Sequence, residues 1–255
     1  RQTTLGVLPF FHVYGTIVVL NTSIYNCATQ VLVPRFDVDE LMGIISGFDE
    51  INFFPAVPTM INAVVNHPRA EELELDRRLG LLNSGGGPLA TEVIDRVIDM
   101  GIAYSEGWGM SETTSLGISN PVMGLKKTGS IGVPFPDADI RLVDLAEGRE
   151  DMPRGEPGEI LFKSPLVMSG YWNNPEETRN QLTEDGWLYT GDIAVMDEDD
   201  YVHIVDRKKD MIIAGGYNIY PREVDEVLYQ HPKVADAVTI GVADEYRGET
   251  VKAFI

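Results

Sequence analysis

At 255 residues, with 44% apolar and 24% charged side chains, the chain has material for one large globular domain or two smaller ones. A formal net charge of −20 excludes a general affinity for DNA, RNA or anionic lipid, whose phosphates such a surface repels. No apolar run approaches the roughly 20 residues that cross a bilayer. The single cysteine, Cys27, rules out an internal disulfide, suits a reducing, cytoplasmic setting and is expected as a small core residue.

The chain opens on Arg1 rather than Met, enters an apolar run at Leu5–Phe11, and stops at Ile255 within a strand-like run. Both ends therefore read as cuts in a longer sequence. Leu5–Pro9 is a short apolar run. Val38, Leu41, Met42 and Ile45 recur at helical spacing behind Asp37, which predicts a helix with that aspartate as N-cap. Ile51–Val57 reads as a buried strand and Thr59–Asn66 as the helix after Pro58. Leu79–Leu82 is strand-like and runs into Ser84-Gly85-Gly86-Gly87-Pro88. Val93, Ile94, Val97 and Ile98 then mark a helix face closed by Gly101, and Ile102–Tyr104 begins another strand. This alternation predicts a layered α/β part over residues 1–126, with ligands where loops leave strand ends.

From Lys127 to Lys208 the texture changes to glycine, proline and short alternating runs, notably Asp139–Val143 and Gly158–Phe162, which predict a small antiparallel β region. Ala194–Val205 reads as a hairpin turning through Asp197–Asp200. A third part, 209–255, carries a helix at Arg222–Gln230 and strands at Ala235–Val242 and Val251–Ile255, the start of an α+β unit.

Several glycine-rich stretches resist the common motifs. Gly107-x-Gly109 has Glu112 where a dinucleotide fingerprint needs its third glycine, and Lys127-Thr128-Gly129-Ser130 has the wrong spacing for a phosphate loop. Gly109–Thr113 is no nucleophile elbow, and Asp197–Tyr201 lacks the glycine and glutamate of a calcium loop. Taken singly, other segments also fit structural roles: Ser84–Pro88 a strand-to-helix turn, Tyr189–Asp192 a turn, Arg207 part of a solvated hinge, His12 a core histidine.

Their common order carries more than any one of them. Pro9–Gly15, Ser84–Leu89, Glu106–Thr113, Gly158–Ile160, Ser169–Trp172, Asn174–Thr178, Tyr189–Asp192, Arg207 and Gly215–Val224 together resemble the adenylate-forming superfamily of acyl-CoA synthetases, luciferases and adenylation domains. The resemblance implies a large domain, made of the α/β part and the β-rich part, followed by a mobile lid.

It also implies roles. His12 would lie by the carboxylate pocket, and the backbone of Gly85, Gly86 and Gly87 would line the adenine and acyl sites. In Glu106-Gly107-Trp108-Gly109, Trp108 would stack on adenine. Ser111 would bond phosphate and Glu112 would hold Mg²⁺. Asp192 would accept both ribose hydroxyls with Arg207 opposite, Lys209 would be the lid hinge, and Gly216 would stand near the pantetheine channel. The implied ligands are a carboxylic acid, fatty or aryl, with ATP, Mg²⁺ and coenzyme A. The implied reaction is formation of acyl-AMP and then acyl-CoA. Two elements of the family are expected but unmatched: a Ser/Thr/Gly-rich loop ending in Lys-Gly, and a lid lysine, for which Lys252 is a poor match. The chain alone is therefore expected to be inactive. A carrier-loading adenylation domain, a luciferase-like oxidising enzyme and a non-catalytic AMP- or ATP-binding module remain alternatives at this point, and the oligomeric state is open, a dimer included.

Overall fold

The computed structural model describes residues 2–231, 233–234 and 237–255. The chain divides into two compact units, one formed by Arg1–Ala138 with Ser164–Ser169, the other by Asp139–Lys163 with Gly170–Ile255.

The first unit is the expected layered α/β body. Strand β1 (Thr3–Gly6) pairs in parallel with β2 (Thr29–Leu32). Backbone bonds from Leu5 N to Phe53 O (2.9 Å) and from Phe53 N to Thr3 O (3.2 Å) lay β1 beside the next segment. There β3 (Phe54–Ala56), β4 (Leu82–Ser84) and β5 (Tyr104–Trp108) run in parallel, with Ala56, Ser84 and Glu106 in register. Two short antiparallel strands, β6 (Ile118–Ser119) and β7 (Val133–Pro134), continue from β5. Parallel strands buried on both faces need helices over them.

A π-helix over Tyr14–Asn21 runs into the single turn α1 (Thr22–Tyr25). Helix α2 (Val38–Ser46) begins as predicted, Asp37 accepting the Glu40 N–H at 3.0 Å. Helix α3 (Pro58–Val65) has its proline in the first turn, where a missing N–H costs nothing. The short α4 (Leu75–Arg78) and the amphipathic α5 (Thr91–Asp99) follow. Leu41, Met42 and Ile45 of α2, Ile61, Val64 and Val65 of α3, and Ile94 and Val97 of α5 share one core with Phe54, Ala56 and Leu82. Each such large apolar side chain contributes roughly 1.5–3 kcal/mol on burial.

Three expectations change here. Cys27 is exposed, because the chain leaves α1 through it in a left-handed turn (φ 51°) that faces outward. His12 is not a core residue; it is exposed, and its Nδ1 accepts the Tyr14 N–H at 3.1 Å at the mouth of the π-helix. The strand expected at Leu79–Leu82 lies three residues later, at Leu82–Ser84, with only a single bridge from Leu79 to Ile51.

In the second unit, β8 (Asp139–Val143), β9 (Gly158–Lys163), β10 (Leu188–Met196) and β11 (Val202–Arg207) form an antiparallel sheet in the order β11-β10-β9-β8. The β10–β11 hairpin turns where expected, Asp197 N bonding Tyr201 O at 2.9 Å. Between β9 and β10 lies α6 (Pro175–Gln181), capped by Asn174. A second sheet follows in the order β13-β12-β15-β14, from β12 (Ile212–Ala214), β13 (Tyr217–Ile219), β14 (Val238–Asp244) and β15 (Gly248–Phe254). Helix α7 (Pro221–Tyr229) is the predicted one; Arg222 ties it back to β11 through Asp206 Oδ2 (3.0 Å, from the backbone N–H) and Ile204 O (2.9 Å, from Nη1). Residues 235 and 236 of the strand predicted at Ala235–Val242 lie outside the described residues.

Candidate functional site

In the first unit the motif residues collect at the carboxyl edge of the parallel strands, the place where open α/β sheets bind ligands. Strand β4 ends at Ser84 and the chain leaves through Gly85, Gly86 and Gly87. Gly85 is buried, whereas Gly86 (φ +82°) and Gly87 are exposed. The segment carrying His12 leaves the carboxyl end of β1 and reaches the same loop through Tyr14. A Cβ on Gly85 would stand 3.0 Å from Tyr14 Cζ, a tight contact that would require the Tyr14 ring to shift. The Tyr14 hydroxyl donates to Asn83 Oδ1 at 2.7 Å. Burial raises the Tyr14 phenol well above the usual tyrosine range.

Strand β5 brings Glu106, Gly107 and Trp108 to this edge, with Glu106 buried beside Ser84 and Trp108 half-buried. Burial, and after it the charge of Glu106, raises the Tyr104 phenol. The chain then turns through Gly109 and a 3₁₀ turn at Ser111–Thr113. Gly109 is fixed by close approach: a Cβ there would overlap the Ser115 carbonyl and stand 2.8 Å from Leu116 N. Thr114 and Ser115 both take left-handed backbone (φ 55° and 72°), a costly conformation found where surroundings over-determine a loop. The bracing is visible: Met168 N donates to Glu112 O at 2.8 Å, and Thr114 Oγ1 to Leu166 O at 2.7 Å. Ser111 is thus presented to solvent and Glu112 held half-buried. Among the described residues no three His, Cys, Asp or Glu side chains gather as a metal cage. A single carboxylate fits Mg²⁺, which is commonly held by one or two carboxylates together with substrate phosphates.

The second unit brings a different pair together. Asp192 and Arg207 are register partners across β10 and β11, Arg207 Nε standing 3.6 Å from Asp192 Oδ1. The Asp192 side chain is 15% exposed and that of Arg207 62%. An ionised carboxylate in this position can accept two hydroxyl donors at once. Lys209 is exposed two residues beyond, in the turn between β11 and β12, and Gly216 (φ +85°) is exposed in the β12–β13 turn. Lys252 lies in β15 with its ammonium 4.8 Å from the Phe254 ring centroid.

Sequence reading missed Tyr14 and Glu159. Tyr14 gave no polar signal inside its apolar run. Glu159 did give one, as the charged residue in a strand whose first five residues are all buried. Its carboxylate accepts the Gly191 N–H at 3.1 Å and the Lys208 ammonium at 2.8 Å.

Residues 1–172 match the model of the AMP-binding enzyme family, and residues 223–255 match that of the AMP-binding enzyme C-terminal domain. The chain belongs to this family. Over its whole length it is 45% identical to a long-chain-fatty-acid–CoA ligase of Bacillus subtilis (strain 168), covering 45% of that protein. It is 37% identical to a feruloyl-CoA synthase of an Amycolatopsis species, covering 51%. The chain therefore spans about half the length of the curated relatives it matches. ATP-bound MatB from Rhodopseudomonas palustris superposes with a TM-score of 0.92 at 32% identity, over 99% of this chain and 49% of that one. MenE from B. subtilis, in complex with ATP and magnesium ion, gives 0.84 at 31% identity, over 99% and 51%.

Proposed function

We propose that the chain is the nucleotide- and acyl-handling part of an AMP-forming acyl-CoA ligase that activates a fatty acid. The observation that carries this reading is the gathering of the glycine loop, Glu106–Gly109 and Glu112 at one strand edge, in a chain 45% identical throughout to a long-chain-fatty-acid–CoA ligase.

In this reading the backbone of Gly85–Gly87 lets a flat ligand approach closely, and Trp108 stacks on the base. Ser111 donates to phosphate. Asp192 accepts the ribose hydroxyls and Arg207 faces it. His12 stands by the acyl carboxylate, which attacks the α-phosphate of ATP to give acyl-AMP and pyrophosphate. Mg²⁺, held by Glu112, would supply charge neutralisation at the phosphates. No protein nucleophile is required, because positioning and charge stabilisation suffice for such transfers. Residues from Lys209 onward then turn as a lid and admit coenzyme A along Gly216, and its thiol attacks the acyl carbonyl of acyl-AMP, giving acyl-CoA and releasing AMP. The three functional parts are 1–126, 127–208 and 209–255. A reducing, cytoplasmic compartment suits the single exposed thiol of Cys27. Among the described residues no helix is long and apolar enough to cross a membrane.

None of the 255 residues matches the Lys-Gly phosphate loop or the lid lysine, so the chain alone is expected to bind adenylates weakly and turn over little. Calorimetric titration with AMP and with a non-hydrolysable fatty-acyl adenylate tests the reading, beside hydroxylamine trapping over short, long, aromatic and amino acids. Tighter binding of the acyl adenylate than of AMP supports it. Folded protein that binds neither sinks it, whereas rapid turnover by this chain overturns only the expectation that it is inactive alone.

A further inference from the structure

The motif Tyr189-Thr190-Gly191-Asp192 does not sit on an ordinary β ladder. Tyr189 pairs with Leu161 and Ile193 with Glu159. Three residues of β10 therefore face one residue of β9, Ile160, and the backbone ladder is interrupted where Asp192 stands. Side chains supply the missing bonds. Thr190 Oγ1 donates to Ile160 O at 2.8 Å and accepts the Asp192 N–H at 3.2 Å. Glu159, 3% exposed, accepts the Gly191 N–H on Oε1 at 3.1 Å. Its Oε2 accepts from Lys208 Nζ at 2.8 Å, and the Lys208 N–H returns to Gly191 O at 2.8 Å. Gly191, Glu159 and Lys208 thus form a closed ring of bonds across β9, β10 and the end of β11. The residue after Gly191 is Asp192, and the residue before Lys208 is Arg207.

We propose that Glu159 is a positioning residue: with Lys208 it sets the Asp192 carboxylate against Arg207 and fixes the chain immediately before Lys209. The proposal rests on reading Asp192 as the ribose-binding group. A buried carboxylate that served stability alone would be replaceable, since exchanging a buried ion pair for neutral side chains is often neutral or stabilising. The ring has a geometric reason for the charge. Only an ionised carboxylate can accept from the Gly191 amide and the Lys208 ammonium through both oxygens without offering a donor of its own.

The test compares the chain with E159Q, K208M and the double variant E159Q/K208M. Affinities for AMP and 3′-deoxy-AMP are measured beside hydrogen exchange at the Gly191 amide and the thermal midpoint. The unaltered chain should prefer AMP by about tenfold or more, as expected for hydrogen bonds to a charged group. In E159Q that preference should fall below about threefold, with 3′-deoxy-AMP affinity nearly unchanged, and Gly191 exchange should rise about tenfold. The double variant should regain the thermal midpoint lost by K208M, because the buried Glu159 charge is no longer left alone, yet keep the low preference. A double variant that discriminates as the unaltered chain does overturns the proposal, and so does unchanged Gly191 protection in E159Q. If the unaltered chain shows no preference between the two nucleotides, the ribose reading of Asp192 fails and takes the nucleotide-positioning claim with it; Gly191 exchange then decides the ring alone.

Discussion

Asp192 and Arg207 face each other as register partners at the end of the β10–β11 hairpin, 3.6 Å apart between Oδ1 and Nε. That separation is too long for a good hydrogen bond and close enough for charge attraction. Replacing Asp192 with Asn puts a donor where only acceptors serve. D192N should weaken AMP binding about tenfold or more, by the usual worth of a hydrogen bond to a charged group. R207K should change it less than threefold if the attraction is mainly coulombic. Calorimetry on both variants checks the pair.

Gly109 and Gly107 are two residues apart and should respond differently to alanine. At Gly109 the added Cβ meets backbone of Ser115 and Leu116, which cannot move without unmaking the left-handed pair at Thr114 and Ser115. G109A is expected to cost about 3 kcal/mol, the upper end for overpacking. At Gly107 the nearest atom would be Ser119 Oγ at 3.4 Å, an ordinary contact, so G107A should cost about 1 kcal/mol or less. Urea unfolding of the two variants gives the comparison, and equal losses would contradict it.

Tyr14 and Tyr104 should titrate apart from the exposed phenols. Burial raises both above the usual tyrosine range, so each favours the folded state at all pH below about 10. That contribution is lost only as pH climbs through the raised folded values. Absorbance at 295 nm should show a late ionisation step from these two phenols that coincides with unfolding. Y14F, which loses a bond to Asn83, should cost about 1 kcal/mol and diminish the late step.

Asp144 makes the opposite kind of link. Its carboxylate accepts the backbone N–H groups of Ala146, Glu147, Gly148, Arg149 and Glu150, and these bonds, that of Glu147 foremost, hold its acidity well below the usual carboxylate range. The depressed value means the loop is stabilised above about pH 3.9 and released only as pH falls from there through the folded value. Tyr189 donates to Gly148 O at 3.0 Å, so loss of this loop reaches the strand that carries Asp192. NMR titration should find Asp144 still ionised near pH 3, and D144N should loosen Gly148 at neutral pH.

Chemistry at a helix end locates α2 and α3 in the sequence but is not enough by itself, since α6, capped by Asn174 with Pro175 in its first turn, lies in a stretch that reads as β region. Asp37 before α2, Pro58 opening α3 and Pro221 opening α7 each mark a start that local physics enforces. The π-helix at Tyr14–Asn21 gave no such mark, because its β-branched run Thr16–Val19 reads as well for a strand and its packing decides the matter. The motif order made the candidate site legible before any geometry. The supports of that site were not, since the partners of Glu159 and Tyr14 are 32 and 69 residues distant or more. Cys27 went wrong for a related reason: composition gives the average burial of cysteine and knows nothing of a left-handed turn.

The bonds from Met168 and Leu166 to the Ser111–Thr114 turn bind the order of synthesis as well as the shape. The segment that braces this turn follows β8 and β9 in the chain, although those strands belong to the other unit. As the polypeptide leaves the ribosome, the α/β body can condense early, yet the loop presenting Glu112 stays unfastened until residue 168 has emerged. A nascent chain halted before that point would hold a nearly complete core around an unfinished site.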